Sequence, residues 1–110
     1  MKMRYYQEQA RRTQNPNLTP RQMAEHATWG LTSEVGEICG IFQKQHQGHE
    51  LDRKALRKEI GDAMWFIAEL CDVFQWDMGC IAEENLVKLR NRYPAGFSAE
   101  KSIHRAEGDI

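Results

Sequence analysis

TPRQMAEHATWGLTSEVGEICGIFQKQHQ, residues 19–47, is the stretch whose reading decides the fold. Ala24, Ala27, Leu31, Val35, Ile38 and Phe42 recur at alternating intervals of three and four, which places them along one face of a helix. Thr19 precedes Pro20, an N-cap residue followed by a proline in the first helical turn, where its missing N–H costs nothing. The pattern predicts a long helix from Pro20 to about Gln47.

Working outward, Gly48-His49-Glu50 breaks this helix, and Asp52 is placed to cap a second long one reaching about Gln75. Its stripe is Ile60, Met64, Ile67, Cys71 and Phe74. Ala63, Trp65, Phe66 and Ala68 widen it, so this helix is expected to be central and buried on more than one side. Upstream, a helical segment runs from about Met3 to Thr13 and ends at Asn15-Pro16-Asn17, because proline disfavours helical geometry in the residue before it. Downstream, a fourth helix runs from about Asp77 to Arg92 and stops at Tyr93-Pro94-Ala95-Gly96. No segment alternates with period two for long enough to make a strand. The expected class is all-α, an antiparallel bundle of about four helices.

The 110 residues contain no repeat and no linker, so residues 1–96 are read as one domain and 97–110 as a polar tail. A bundle this small buries a modest share of its surface, and oligomerisation, as a homodimer or homotetramer, is expected to complete it. The net charge of −1 carries no basic excess to track the phosphates of a nucleic-acid polymer or an acidic membrane. Cys39, Cys71 and Cys80 are odd in number and lack CxxC spacing, which fits reduced thiols in the cytoplasm. The basic N-terminus has no apolar stretch after it, and the longest apolar run, 63–71, already contains Glu69. Neither a signal peptide nor a membrane span is expected.

The chemistry lies in Glu34-Val35-Gly36-Glu37 and its counterpart Glu59-Ile60-Gly61-Asp62. Acids three apart project about 60° from one another on a helix, so two such pairs on facing helices can converge as four carboxylates. One ExxE is common in helices. Two in matching positions within apolar stretches call for a counter-charge, and a hard divalent cation such as Mg²⁺, bound through oxygen and shared with substrate phosphates, fits best. Gly36 and Gly61 are expected to allow close backbone approach beside the acids. A di-iron bundle would need Glu-x-x-His units, which neither pair offers. His46-Gln47-Gly48-His49 reads as a polar interhelical turn. Lys44 lies two turns beyond Glu37 on the same face, while Asn85, Lys88 and Arg92 share a face of the fourth helix; all four suit contact with phosphate or substrate.

The segments SEVGEICGIFQK (33–44), EIGD (59–62) and ENLVKLRNRYPAGF (84–97) resemble the MazG-type all-α nucleoside triphosphate pyrophosphohydrolases. YQEQARRT (6–13) and FSAEKSIHR (97–105) extend the likeness over nearly the whole chain. The resemblance implies Mg²⁺ held by Glu34, Glu37, Glu59 and Asp62, with Mn²⁺ as a substitute, and substrate contact by Lys44, Asn85, Lys88 and Arg92. It implies cleavage of an NTP or dNTP to monophosphate and pyrophosphate by a metal-activated water attacking the α-phosphorus. Many relatives carry a further acid before each motif, where this chain has Ser33 and Lys58, so Glu34 and Glu37 both stand as the catalytic base. Trp29, Phe42 and Trp65 are read mainly as core; Phe66, one turn beyond Asp62, is the candidate for contact with a base. Ser98 or Arg105 of the tail can either fold over the site to reach phosphate or belong to a free terminus. Two other readings are a phosphoribosyl-ATP pyrophosphohydrolase-like activity and a non-catalytic helical interaction module.

Overall fold

The computed structural model describes residues 1–105; the end of the expected tail, 106–110, lies outside the described residues. The described chain is all-helical: α1 (Met3–Arg11), α2 (Pro20–His46), α3 (Arg53–Val73), α4 (Met78–Arg92) and α5 (Ala99–Ile103). The expected helices appear within a residue or two of their ends. The short α5 is an addition, made where Ser98 accepts a hydrogen bond from the Lys101 backbone N–H.

The ends of α2 and α3 show why the sequence stops and starts where it does. Thr19 accepts from the Gln22 N–H, and the Gln22 side chain reaches back to the Thr19 N–H, a reciprocal capping box ahead of Pro20. At its other end α2 closes with a Schellman turn: His49 N–H donates to the Lys44 carbonyl, Gly48 N–H to that of Gln45, and Gly48 takes φ 98°. Asp52 caps α3 by accepting from Ala55 N–H. The same closing turn ends α3, with Gln75 at φ 59° in the position a glycine usually fills.

Two compact units divide the chain at Asp77/Met78. In the first, α2 and α3 pack side by side, and α1 lies against α3. Ala10, Ala27, Ala68 and Cys71 form its buried apolar centre. Small residues dominate because the helices approach closely. The Phe66 ring fills the space over Gly30, where an added Cβ would stand 2.2 Å from a ring carbon. Asp72 ties α1 down by accepting hydrogen bonds from Gln7, Arg11 and Gln14 at 2.7–2.8 Å. Its carboxyl is nearly buried; burial alone would raise its pKa, but the bonds from Arg11, Gln14 and Gln7 outweigh that and hold it below the ordinary value. Trp65 donates from its indole to Thr13 Oγ1, linking α3 to the turn after α1.

The two apolar faces foreseen for α3 are present, but the described residues cover only one of them. Ala63, Phe66 and Ala68 are buried or half-buried, as is Cys71 of the expected stripe, whereas the stripe's other members, Ile60, Met64, Ile67 and Phe74, stay exposed. On α2 the stripe also divides, with Ala27 buried and Val35 and Phe42 exposed. Trp29, read as core, is 67% exposed, a correction to that expectation. It lies on the side of α2 away from Ala27, which the single chain leaves open. In the second unit Ile81, Leu86, Val87 and Leu89 of α4 are likewise exposed, and Tyr93 packs against Phe97.

Candidate active site

Glu34 and Glu37 stand one turn apart on α2, as do Glu59 and Asp62 on α3, and the pairing of these two helices brings both pairs together. One oxygen each from Glu34, Glu59 and Asp62 lies within 4.8 Å of the others, close to the span of a single cation's coordination shell. Glu37, one turn beyond Glu34, is near enough for the charges of Glu59 and Asp62 to act on its carboxyl. Three of the four acids of the doubled acid-x-Gly-acid pattern therefore converge.

The electrostatics of the cluster are those of acids lacking a counter-charge. Glu37 is held above the ordinary carboxylate range, first by its hydrogen bond with Glu59 and then by the negative charge of that neighbour. Glu59 is raised as well, first by its hydrogen bond with Glu34. Carboxyls this close repel one another unless a positive charge or a proton stands between them. Oε2 of Glu34 and Oε2 of Glu59 are buried with no donor facing them. Buried acceptors without donors cost free energy unless a positive group meets them. An all-oxygen set of this kind suits a hard divalent cation.

The glycines between the acids do not play the role expected of them. A Cβ at Gly36 or Gly61 would meet nothing within 4 Å, so neither position is a close backbone approach. The tight approach is at Gly30, one turn before Glu34, where Phe66 seats. Phe66 itself, the candidate for base contact, is half-buried in a cluster with His26 and Trp65, at ring-centroid distances of 5.7 and 5.2 Å.

Lys44 is exposed near the end of α2, seven residues beyond Glu37. Asn85, Lys88 and Arg92 lie on α4 in the second unit, spaced along one face, with Asn85 and Lys88 exposed and Arg92 half-buried. Ser98 is engaged as the cap of α5, and Arg105 is exposed. His46 and His49 flank the turn after α2, as expected.

Two features escaped sequence reasoning. Tyr6 of α1 is half-buried, and its phenol is raised in pKa by burial and then by the charge of Asp62, which places it beside the acids. Tyr6 and Asp62 are far apart in sequence, and nothing local signals the approach. The second feature is Glu69, fully buried and hydrogen-bonded at 2.7 Å to Nδ1 of His26. Its signal was an acid inside the apolar run 63–71.

Residues 22–97 match the family model of the MazG nucleotide pyrophosphohydrolase domain, a span that holds all four acids, Lys44, Phe66 and the α4 residues. The "Gene 37 protein" of Mycobacterium phage L5 is similar, 30% identical over an alignment of 76 positions that covers 64% of this chain and 67% of the phage protein. No solved structure matches.

Proposed function

Because the chain belongs to the MazG nucleotide pyrophosphohydrolases, we propose that it hydrolyses a nucleoside triphosphate, NTP or dNTP, to the monophosphate and pyrophosphate, with Mg²⁺ or Mn²⁺ at the four-acid cluster. The observation that carries this reading is the convergence of Glu34, Glu59 and Asp62, with two of their oxygens buried and unpartnered. A divalent cation, when bound, lowers the pKa of water and offsets charge on phosphate oxygens.

The chain's own residues then divide the work. Glu34, Glu59 and Asp62 form the tight set and would hold the cation. Glu37, exposed and outside the tight set, is the group best placed to orient a water towards the α-phosphorus and take its proton. The water's oxygen bonds to that phosphorus, and the bond to the bridging oxygen breaks, releasing pyrophosphate. Lys44, on the same helix as Glu34 and Glu37, supplies a cation for the phosphates.

A second copy of the chain is the proposed cover for the exposed stripe Ile60, Met64, Ile67 and Phe74, giving a homodimer or homotetramer. No helix among the described residues is long and apolar enough to cross a membrane. Cys39 and Cys71 are free thiols, which accords with work in the cytoplasm.

The test is pyrophosphate release from a panel of nucleoside triphosphates with Mg²⁺ present, for the wild type and for Glu37→Gln and Asp62→Asn. The expected outcome is release by the wild type, with a loss of at least about a hundredfold in each variant. Undiminished turnover in both variants would remove this site.

A further inference from the structure

Beyond the four acids, the face of α3 that carries Asp62 holds one more carboxyl, two turns further on. Glu69 is 0% exposed, with Oε1 2.7 Å from Nδ1 of His26 on α2 and Oε2 without any hydrogen-bond partner. The other residues of that buried centre, Ala27, Ala68 and Cys71, are apolar. A carboxyl sealed in such a place costs free energy that a leucine of similar size would not, so stability alone does not account for it.

Three contacts follow one another, a turn apart, along the α2–α3 pair. At the acids, Glu34 meets Glu59 and Asp62, with one oxygen of each inside a 4.8 Å span. Four residues back on α2 from Glu34, and four on along α3 from Asp62, the Phe66 ring sits over Gly30. Four back and three on again, His26 bonds Glu69. The steps match, so acids, ring and bond are successive rungs of one antiparallel seam, spanning about 12 Å of α2 from Glu34 to His26. The rungs also touch, because the His26 ring flanks that of Phe66 at a centroid distance of 5.7 Å. Ala27 and Ala68 are too small to interlock, and a ring over a glycine limits approach more than it limits sliding. The His26–Glu69 bond is directional, and it fixes slide and rotation together.

We infer that the His26–Glu69 pair sets the register of α2 against α3, so that Glu34 of one helix meets Glu59 and Asp62 of the other at the spacing a single cation needs. This inference rests on the reading above in which those acids hold a divalent cation. A slide of one residue's rise, about 1.5 Å, is several times the roughly 0.2 Å by which metal–ligand distances depart from their usual values. Apolar contacts are satisfied in several alignments, whereas a buried polar pair is satisfied in one, which is how such pairs fix register between helices. The bond forms whichever partner carries its proton, so the register does not depend on the charge of the pair. His26 and Glu69 touch neither cation nor substrate; both are positioning residues that act through Phe66, Gly30 and the helix backbones.

The experiment measures Mn²⁺ affinity and metal-free thermal stability side by side in the wild type, His26→Leu/Glu69→Leu, His26→Asn and His26→Gln. The double variant replaces the pair with apolar groups of similar size, a change that is often neutral or stabilising for a buried pair, so its Tm is expected at or above that of the wild type. Its Mn²⁺ affinity falls about tenfold, the lower end of the loss seen when groups behind metal ligands are removed, and pyrophosphate release falls with it. His26→Asn puts an amide nitrogen where the imidazole has Nδ1 and keeps the wild-type affinity. His26→Gln puts it one bond further out and weakens binding. A double variant with a lowered Tm and unchanged Mn²⁺ affinity assigns the pair to stability and overturns the inference, leaving the pyrophosphohydrolase reading standing. If the double variant does not fold, equal affinities in His26→Asn and His26→Gln overturn it instead. A wild type that binds Mn²⁺ but cleaves no triphosphate ends the enzymatic reading, and the affinities still decide the register. A wild type that binds no Mn²⁺ overturns both.

Discussion

Replacing Gly30 with alanine tests the packing on which the acid cluster depends. A Cβ there would lie 2.2 Å from Cε1 of Phe66 and 2.5 Å from Cδ1 and Cζ, where ordinary carbon contacts are about 3.5–4.0 Å. The ring would have to retreat by more than about 1 Å, and it is hemmed in by Trp65 and His26. Overpacking costs about 1–3 kcal/mol, and conflict with three ring atoms puts this case at the upper end. Alanine's better helix propensity returns about 1 kcal/mol, leaving a net loss of about 2 kcal/mol. For a chain of this size that is roughly 8 °C in Tm. Gly36→Ala is the internal control: nothing lies within 4 Å of its added Cβ, so it keeps the propensity gain of about 1 kcal/mol. Thermal and urea unfolding of both variants, with Phe66→Leu and the Gly30→Ala/Phe66→Leu double variant, gives the coupling between ring and glycine. Because Gly30 is one turn from Glu34, Gly30→Ala should also weaken Mn²⁺ binding. A Gly30→Ala protein as stable as Gly36→Ala would refute the close α2–α3 approach.

Other outcomes follow from the same structure. Asp72→Asn should cost about 2–3 kcal/mol at neutral pH by weakening the ties to Arg11, Gln14 and Gln7. Since the folded pKa of Asp72 lies below its unfolded value of 3.8, its contribution is complete above that value and fades as pH falls through the folded one. Acid titration of stability should therefore be shallower in the variant than in the wild type. Glu59→Gln should raise the Tm of the metal-free protein at neutral pH, because Glu59 is held protonated-prone by its acidic neighbours, and should abolish the stabilisation that Mg²⁺ confers on the wild type. Ile67→Asp, on the exposed face of α3, should shift sedimentation from an assembled species to monomer while leaving helical circular dichroism in place.

The helices were legible because their limits are written in short-range chemistry. Thr19-Pro20 with Gln22, Asp52, and Gly48 each satisfy backbone groups within a few residues, and the three-four apolar spacing supplies what lies between. The acid convergence was legible too, since two matched pairs on long helices joined by a short turn have little choice but to face each other. What a single sequence did not disclose is which of two apolar faces of α3 the chain covers, because periodicity marks both and the choice is made by fit against α2. Phe66 wins that side because Gly30 makes room for its ring. The Tyr6–Asp62 and His26–Glu69 approaches span long stretches of sequence, and of the four residues Glu69 alone, an acid inside an apolar run, left a local trace. Gly36 and Gly61 misled for the opposite reason: their placement beside the acids suggested contact, yet they open onto free space.

The most direct measurement is Mn²⁺ titration, followed by the loss of the free-ion paramagnetic signal, of the wild type, Glu34→Gln on α2 and Asp62→Asn on α3. Saturable binding at millimolar or lower Mn²⁺ in the wild type, lost in both variants while their folds persist, is the predicted result. Binding unaltered by either substitution would mean that the two helices do not jointly hold a cation.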